Sequence, residues 1–178
     1  MQRVEKILEN TSLKLASRQH AAKLVLTNNL LPQTIEFIKL PQELSMKAWM
    51  IIEIIGRDNV EILDEFIPDI VNNGKMYSDS SSKRCIMKII SFLVDSHFHS
   101  NSSIHLHHAE KKEVIRLSFQ YLMNDEKTAV KVFAMQNIYD LRNEEKWIET
   151  ELKALLEKNI STSTPGYRSR ALKILRKL

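Results

Sequence analysis

Glycine is scarce in this chain, which has only three glycines among 178 residues. Glycine-rich phosphate loops, dinucleotide-binding turns and tight β-hairpins need glycine, because the backbone there adopts positive φ or closely approaches a ligand. Since Gly56, Gly74 and Gly166 stand far apart, the sequence disfavours the usual nucleotide-binding folds.

Cysteine and long apolar runs are equally rare. Cys85 is the only cysteine, so an intramolecular disulfide is excluded and a reducing compartment is indicated. The longest apolar run, Ala48 to Ile52, falls far short of the roughly 18 residues that suggest a membrane span. No signal-peptide pattern is seen at the start. We therefore expect a soluble, cytoplasmic protein with no membrane partner.

The remaining composition is that of a folded protein. Hydrophobic residues make up 43% and charged residues 27%, and the length suits a single domain over residues 1–178. The net charge of +4 is unevenly placed, because residues 165–178 contain five basic residues and no acid. We expect this segment to be an amphipathic terminal helix whose basic outer face is solvated.

Apolar residues recur with helical periodicity along almost the whole chain, which predicts an all-α fold of about ten helices. Pro68 is expected to bend its helix and Gly56 to end one. Trp49, Phe133, Trp147 and Cys85 are expected in the core. The longer predicted helices cover residues 17–28, 44–56, 58–72, 83–94, 110–123, 127–141, 144–158 and 165–178, with a short one after Pro32.

Basic residues recur near the starts of alternate predicted helices. Lys47, Arg84, Lys131 and Arg168 are spaced at intervals of roughly 40 residues, the period of repeats built from helix pairs. We call these four residues the basic ladder. In a helical solenoid, equivalent positions line one face, generally the concave one.

Two segments carry a family resemblance. NDEKTAVKVFAMQNI (Asn124 to Ile138) resembles the second helix of a HEAT repeat, and EILDEFIPDIV (Glu61 to Val71) is similar to a first helix with its internal proline. The resemblance implies a right-handed α-α superhelix, a HEAT- or armadillo-like solenoid of about five helix pairs. The C-terminal third also resembles a group of short bacterial HEAT-like proteins that are commonly named adenylosuccinate lyase.

The residues do not carry the lyase activity that this name suggests. The lyase signature loop continues from its serines as Met-Pro-x-Lys-x-Asn, whereas the serine run Ser80 to Ser82 is followed by Lys83, Arg84 and Cys85. We therefore interpret the protein as a noncatalytic interaction module that presents a concave surface to a protein partner. An enzymatic activity under the inherited name is the less favoured hypothesis. No cofactor or small-molecule substrate is indicated.

Two further interpretations stay open at the level of sequence. The basic ladder either binds an anionic partner such as nucleic acid, as in HEAT-like DNA glycosylases, or pairs with acids in neighbouring turns such as Asp125. A histidine-rich segment is either a polar loop or a metal-binding or pH-responsive one. Its members are His97, His99, His105, His107 and His108.

Overall fold

The structure is a computed structural model that describes all 178 residues. It contains ten α-helices and no β-strand, which confirms the all-α prediction. Two 3-10 segments, Val60–Phe66 and Gly74–Met76, flank the fifth helix. The helices are α1 (Gln2–Glu9), α2 (Leu15–Thr27), α3 (Leu31–Glu36), α4 (Ser45–Asp58), α5 (Ile67–Asn73), α6 (Ser80–His97), α7 (His108–Met123), α8 (Thr128–Asp140), α9 (Lys146–Asn159) and α10 (Pro165–Leu175).

The even-numbered helices pack on one another in succession. α2 contacts α4, α4 contacts α6, α6 contacts α8, and α8 contacts α10. Among the odd-numbered helices, α7 packs against α5 and α8, while α9 packs against α8 and α10. One continuous cluster of 48 buried apolar residues runs through these contacts. No helix combines the length and apolar character that crossing a bilayer requires.

Helix α4 is buried on nearly every side, including its tryptophan and its run of isoleucines. Gly56 lies inside this helix with negative φ, so the prediction that it ends the helix is wrong. The reason for glycine is close packing, because a Cβ atom at this position would lie 2.8 Å from Cδ1 of Leu63.

The predicted bend at Pro68 takes the form of a helix break. A 3-10 segment, Val60–Phe66, precedes α5, and Pro68 occupies the first turn of α5. A helix leaves the N–H groups of its first turn without intrahelical partners, so proline is tolerated there without loss of a hydrogen bond. The single predicted helix over residues 58–72 is therefore two shorter elements.

Two other expectations differ from the structure at the surface. The sequence pattern does not predict α1, because this helix buries only Val4 and Leu8 and is otherwise mostly polar. The indole of Trp147 is 46% exposed, so its assignment to the core is wrong, whereas Trp49 is fully buried as predicted. Trp147 follows the helical period of α9 but faces a groove, which sequence periodicity does not distinguish from a core.

The two tryptophans provide a matched test of this packing. We expect Trp49→Ala to lower the free energy of unfolding by about 3–5 kcal/mol, because it leaves a cavity in a core without room to collapse. Trp147→Ala is expected to lower the free energy of unfolding by no more than about 1.5 kcal/mol, the scale of one aromatic contact. Urea denaturation followed by circular dichroism measures both values, and equal losses would contradict the assigned positions.

Candidate functional site

The basic ladder is not a row of free cations. Nζ of Lys47 donates to the carbonyl oxygen of Glu9, the last residue of α1, at 2.8 Å. The guanidinium of Arg168 donates to the carbonyl oxygens of Ile160 and Ser161, just beyond α9, at 3.2 and 3.1 Å. Unpaired carbonyls carry partial negative charge at a helix C-terminus, so cations are favoured there. These two ladder residues join the end of an odd-numbered helix to the start of an even-numbered one.

The third ladder residue, Arg84, belongs to a cluster around the buried carboxylate of Glu53. Nη2 of Arg84 lies 3.0 Å from Oε2 of Glu53, and Nζ of Lys88 lies 2.7 Å from Oε1. The side chain of Glu53 is only 4% exposed. Since a buried charge needs paired and hydrogen-bonded partners, this cluster fastens α6 to α4.

Cys85 completes the Glu53 cluster, where its thiol donates to Oε2 of Glu53 at 3.0 Å. Burial raises the pKa of the Cys85 thiol, and the charge of Glu53 raises it further. A thiolate is the nucleophilic form of cysteine, so this protonated thiol is suited to packing and hydrogen bonding and is a poor nucleophile. Its expected place in the core is confirmed by its full burial.

The same cluster shifts the ionisation of Glu53. Burial acts to raise the pKa of Glu53, but hydrogen bonds from Lys88 and Cys85 and the charges of Arg84 and Lys88 outweigh it. The pKa therefore lies below its ordinary value, and Glu53 is held as a carboxylate.

Lys131 is the one ladder residue whose side chain makes no hydrogen bond and no ion pair within the protein. It lines a small polar cleft with Asp125, Thr128 and Tyr167. Two ion pairs outside the basic ladder connect neighbouring parts of the chain. Glu126 pairs with Lys83, and Glu144 pairs with Lys111. Sequence reasoning missed these two pairs, because their lysines lie outside the ladder register.

The five histidines of the 97–108 segment have separate local roles. Nδ1 of His97 accepts from the backbone N–H of Leu106 at 3.2 Å, and Nε2 of His99 lies 3.4 Å from a carboxylate oxygen of Asp95. The rings of His97 and His105 meet edge to face, 6.3 Å apart. His107 precedes α7, and His108 is its first residue. No three His, Cys, Asp or Glu side chains are grouped so that they could hold one metal ion.

A groove between α7 and α9 is the largest concave surface, with a volume of about 950 Å³. Its apolar lining consists of Ile115, Phe119 and Met123 from α7 and Trp147 from α9. The three α7 residues are four positions apart and form one stripe on the helix. The rings of Phe119 and Trp147 lie 5.5 Å apart. Met123 and Trp147 are 63% and 46% exposed, whereas Ile115 and Phe119 are buried beneath them, so the apolar surface that the groove presents to solvent belongs mainly to Met123 and Trp147.

Charged residues line the two sides of this α7–α9 groove. Lys112 and Arg116 lie on α7. Glu145 immediately precedes α9, and Glu151 lies within it. Arg116 is neutralised by Glu113 and Glu145 accepts from the indole N–H of Trp147. Lys112 has no ion-pair partner on the α7 side, and Glu145 and Glu151 have none on the α9 side, so the two sides carry opposite charge.

In comparisons with known proteins, no family model, curated protein or solved structure matches the chain.

The Glu53 cluster makes a prediction about stability and pH. We expect Glu53→Gln to lower the free energy of unfolding at pH 7 by about 2 kcal/mol, less than the 3–5 kcal/mol of a fully buried pair, because Arg84 and Lys88 reach solvent. A carboxylate with a lowered folded-state pKa stabilises the protein fully above its unfolded pKa of about 4.3. That contribution is lost as the pH falls through the folded-state value.

The measurement is urea denaturation of wild type and Glu53→Gln between pH 7 and pH 3. The difference between the two proteins should narrow below about pH 4, where Glu53 itself becomes protonated. Glu157→Gln, a change at an exposed carboxylate of α9, is the matched control and should differ little from wild type at every pH. A Glu53→Gln difference that stays constant over this range would contradict the assignment.

Proposed function

We propose that the protein is a noncatalytic helical-repeat interaction module that binds a protein partner. The ten helices divide into five consecutive pairs, α1/α2 to α9/α10, and the second member of each pair packs on the next. This order supports a HEAT-like solenoid, in which repeats contact only their neighbours and present extended surfaces. The concave wall would then be formed by the even-numbered helices, whereas the α7–α9 groove lies on odd-numbered helices and not on that wall.

The observation that carries the proposal is the exposed apolar groove between α7 and α9. Single exposed apolar residues are ordinary, but a contiguous patch with charged sides marks an interaction surface. Tryptophan, phenylalanine and methionine are enriched at the cores of protein interfaces. Phe119, Met123 and Trp147 place all three residue types in one groove.

The occupant that fits this groove is one amphipathic helix of a partner protein. From Ile115 to Met123 the α7 stripe rises about 12 Å, which matches two to three turns of a docked helix. Apolar residues spaced three or four positions apart on that helix would contact the stripe. The free ammonium of Lys112 and the free carboxylate of Glu151 favour a helix with an acidic residue on one flank and a basic residue on the other.

Site-specific photo-crosslinking in native cells tests the groove. A photoreactive amino acid at position 123 is expected to form a discrete adduct with one partner polypeptide, because the side chain is at the groove surface. The same amino acid at Leu172, which is 40% exposed on α10, is the matched control and should not form that adduct. Trp147→Ala should remove the adduct at position 123, while Leu172→Ala should leave it intact.

Three outcomes would contradict this occupant. Equal crosslinking at positions 123 and 172 would indicate nonspecific contact, and absence of any adduct at position 123 would indicate an empty groove. An adduct with the mass of two copies of this chain would identify a second copy as the occupant.

A second proposal is binding of nucleic acid by the basic ladder, in which only Lys131 keeps a side chain free of contacts within the protein. The observation that favours it is Lys131, whose ammonium has no ion-pair partner. Phosphate contacts release counterions, so the affinity for an oligonucleotide should fall steeply with salt. Lys131→Glu should weaken that binding, and this variant leaves the internal contacts of Lys47 and Arg84 intact. Binding that is absent or insensitive to salt would dismiss the proposal.

A further inference from the structure

A cleft between α8 and α10 concentrates positive charge without acidic residues in its lining. Its volume is about 300 Å³, and Ile174 lies buried at one wall. Elsewhere the chain pairs Lys83, Arg84 and Lys111 with carboxylates. The lining residues are Gln136, Tyr139, Arg170, Lys173, Ile174, Arg176 and Lys177, of which four are cationic.

The side chain of Arg170 is held in this α8–α10 cleft by a chain of hydrogen bonds. Nε2 of Gln136 donates to the two carboxylate oxygens of Asp140 at 2.8 and 3.0 Å. The amide oxygen of Gln136 then accepts from Nη1 of Arg170 at 2.8 Å. A guanidinium has five N–H donors, and this contact uses one of them. The other donors of Arg170 have no partner within the protein.

The helix macrodipole accounts for only part of this charge. Lys173, Arg176 and Lys177 lie at or beyond the last turn of α10, where cations are favoured by the carbonyl ends. Arg170 lies in the middle of α10, beyond the reach of that effect, which is confined to the last turn. The macrodipole therefore does not explain why Arg170 lies beside three other cationic residues, although like charges repel one another.

The neighbouring acid, Asp140, does not neutralise the cleft lining by an ion pair. Asp140 is half-buried, and burial raises the pKa of its carboxyl above the ordinary value, although the charges of Arg142 and Lys177 act to lower it. Its carboxylate oxygens are occupied by Gln136 and do not line the cleft. Tyr139 adds a ring whose centroid lies 4.2 Å from the guanidinium carbon of Arg142 and 6.0 Å from Nζ of Lys177.

We propose that the α8–α10 cleft binds a compact ligand that carries a pyrophosphate unit, with Arg170 as its fixed anchor. The planar guanidinium matches phosphate oxygens through two parallel N–H donors, and lysines contribute mobile point charges. Four cationic side chains line the cleft, and this charge suits two adjacent phosphate groups. Inorganic pyrophosphate and the phosphates of a nucleoside diphosphate or triphosphate share this unit.

The arrangement of the other cations favours a compact ligand over a nucleic acid strand. A strand needs a basic track along several helices, whereas Arg84 and Lys88 on α6 are already paired with Glu53. The positive surface is thus interrupted on the side of α6. The cleft is formed by even-numbered helices and the apolar groove by odd-numbered ones, so failure of one proposal leaves the other unaffected.

Isothermal titration calorimetry of the full chain with pyrophosphate at low salt tests the site. We expect saturable binding at one site, and Arg170→Gln should weaken it at least about tenfold, since hydrogen bonds to a charged group are lost. Lys23→Gln removes the same charge from an exposed position on α2 and is the matched control. It should change the dissociation constant by less than about twofold. Circular dichroism checks that both variants are folded.

A second variant keeps the test decisive if Arg170→Gln proves unstable. The double variant Lys173→Gln/Lys177→Gln alters two exposed side chains that make no hydrogen bonds within the protein. It should also weaken pyrophosphate binding, while Lys23→Gln should not. Repeating the titration with a nucleoside diphosphate separates the two sources of the ligand. It carries the same two phosphate groups as pyrophosphate, so tighter binding of the nucleotide indicates contacts beyond the phosphates.

Other results would overturn the proposal. No saturable binding of pyrophosphate or nucleotide up to millimolar concentration would show that the cleft is only a solvated basic surface. Equal weakening by Lys23→Gln and Arg170→Gln would show a bulk charge effect. A short single-stranded oligonucleotide that displaces pyrophosphate and binds more tightly would assign the cleft to nucleic acid instead.

Discussion

The burial of α4 on all sides is the constraint on which the rest of the structure depends. This helix is covered by α2, by α6 and by the 3-10 segment at 60–66. Each fully buried isoleucine or tryptophan side chain contributes about 1.5–3 kcal/mol relative to an exposed one. α4 also carries Glu53, whose carboxylate must find cationic partners wherever the helix is buried. Arg84 and Lys88 supply them, so apolar packing and charge pairing together fix how α6 lies on α4.

Helix ends impose a second requirement, which explains part of the recurring basic pattern. The last carbonyl groups of a helix have no intrahelical donors, so a cationic side chain from another helix can donate hydrogen bonds to them. Lys47 does this at the end of α1 and Arg168 beyond the end of α9. A basic residue near the start of an even-numbered helix therefore has a structural cause at two positions. The same residue type has no such partner at position 131.

Fold class and most helices could be predicted from the sequence, because apolar periodicity reports which face of a helix is covered. Periodicity does not report what covers that face. Trp147 continues the apolar pattern of α9, yet it faces the groove beside α7 and is half exposed. Gly56 shows the same limit, since its reason is a contact with Leu63 that comes from another element. Contacts between different elements have no signal in the periodicity of either element.

The candidate sites were harder to predict for the same reason. The ladder was recognised by spacing along the chain, but the sequence does not show that Arg84 shares Glu53 with Lys88. The basic α8–α10 cleft depends on Gln136, a residue with no charge and no repeat position. Its amide orientation is set by Asp140, one turn away on the same helix. Only the packing of α10 on α8 brings Arg170 to this amide.

The two candidate surfaces lie in the same half of the chain, and the energetics of the fold explain why. Around α4 and α6, burying Glu53 requires that the nearby cations be paired, so those charges are committed to stability. From α7 to α10, an apolar groove and a cluster of like charges remain exposed. Neither arrangement stabilises an isolated chain, because apolar surface that stays exposed gains nothing from burial and like charges repel one another. Departures from local consistency of this kind are expected where a protein binds something else. The stability of the α4 region therefore permits the C-terminal helices to keep these exposed surfaces, which is the physical basis of the two binding proposals.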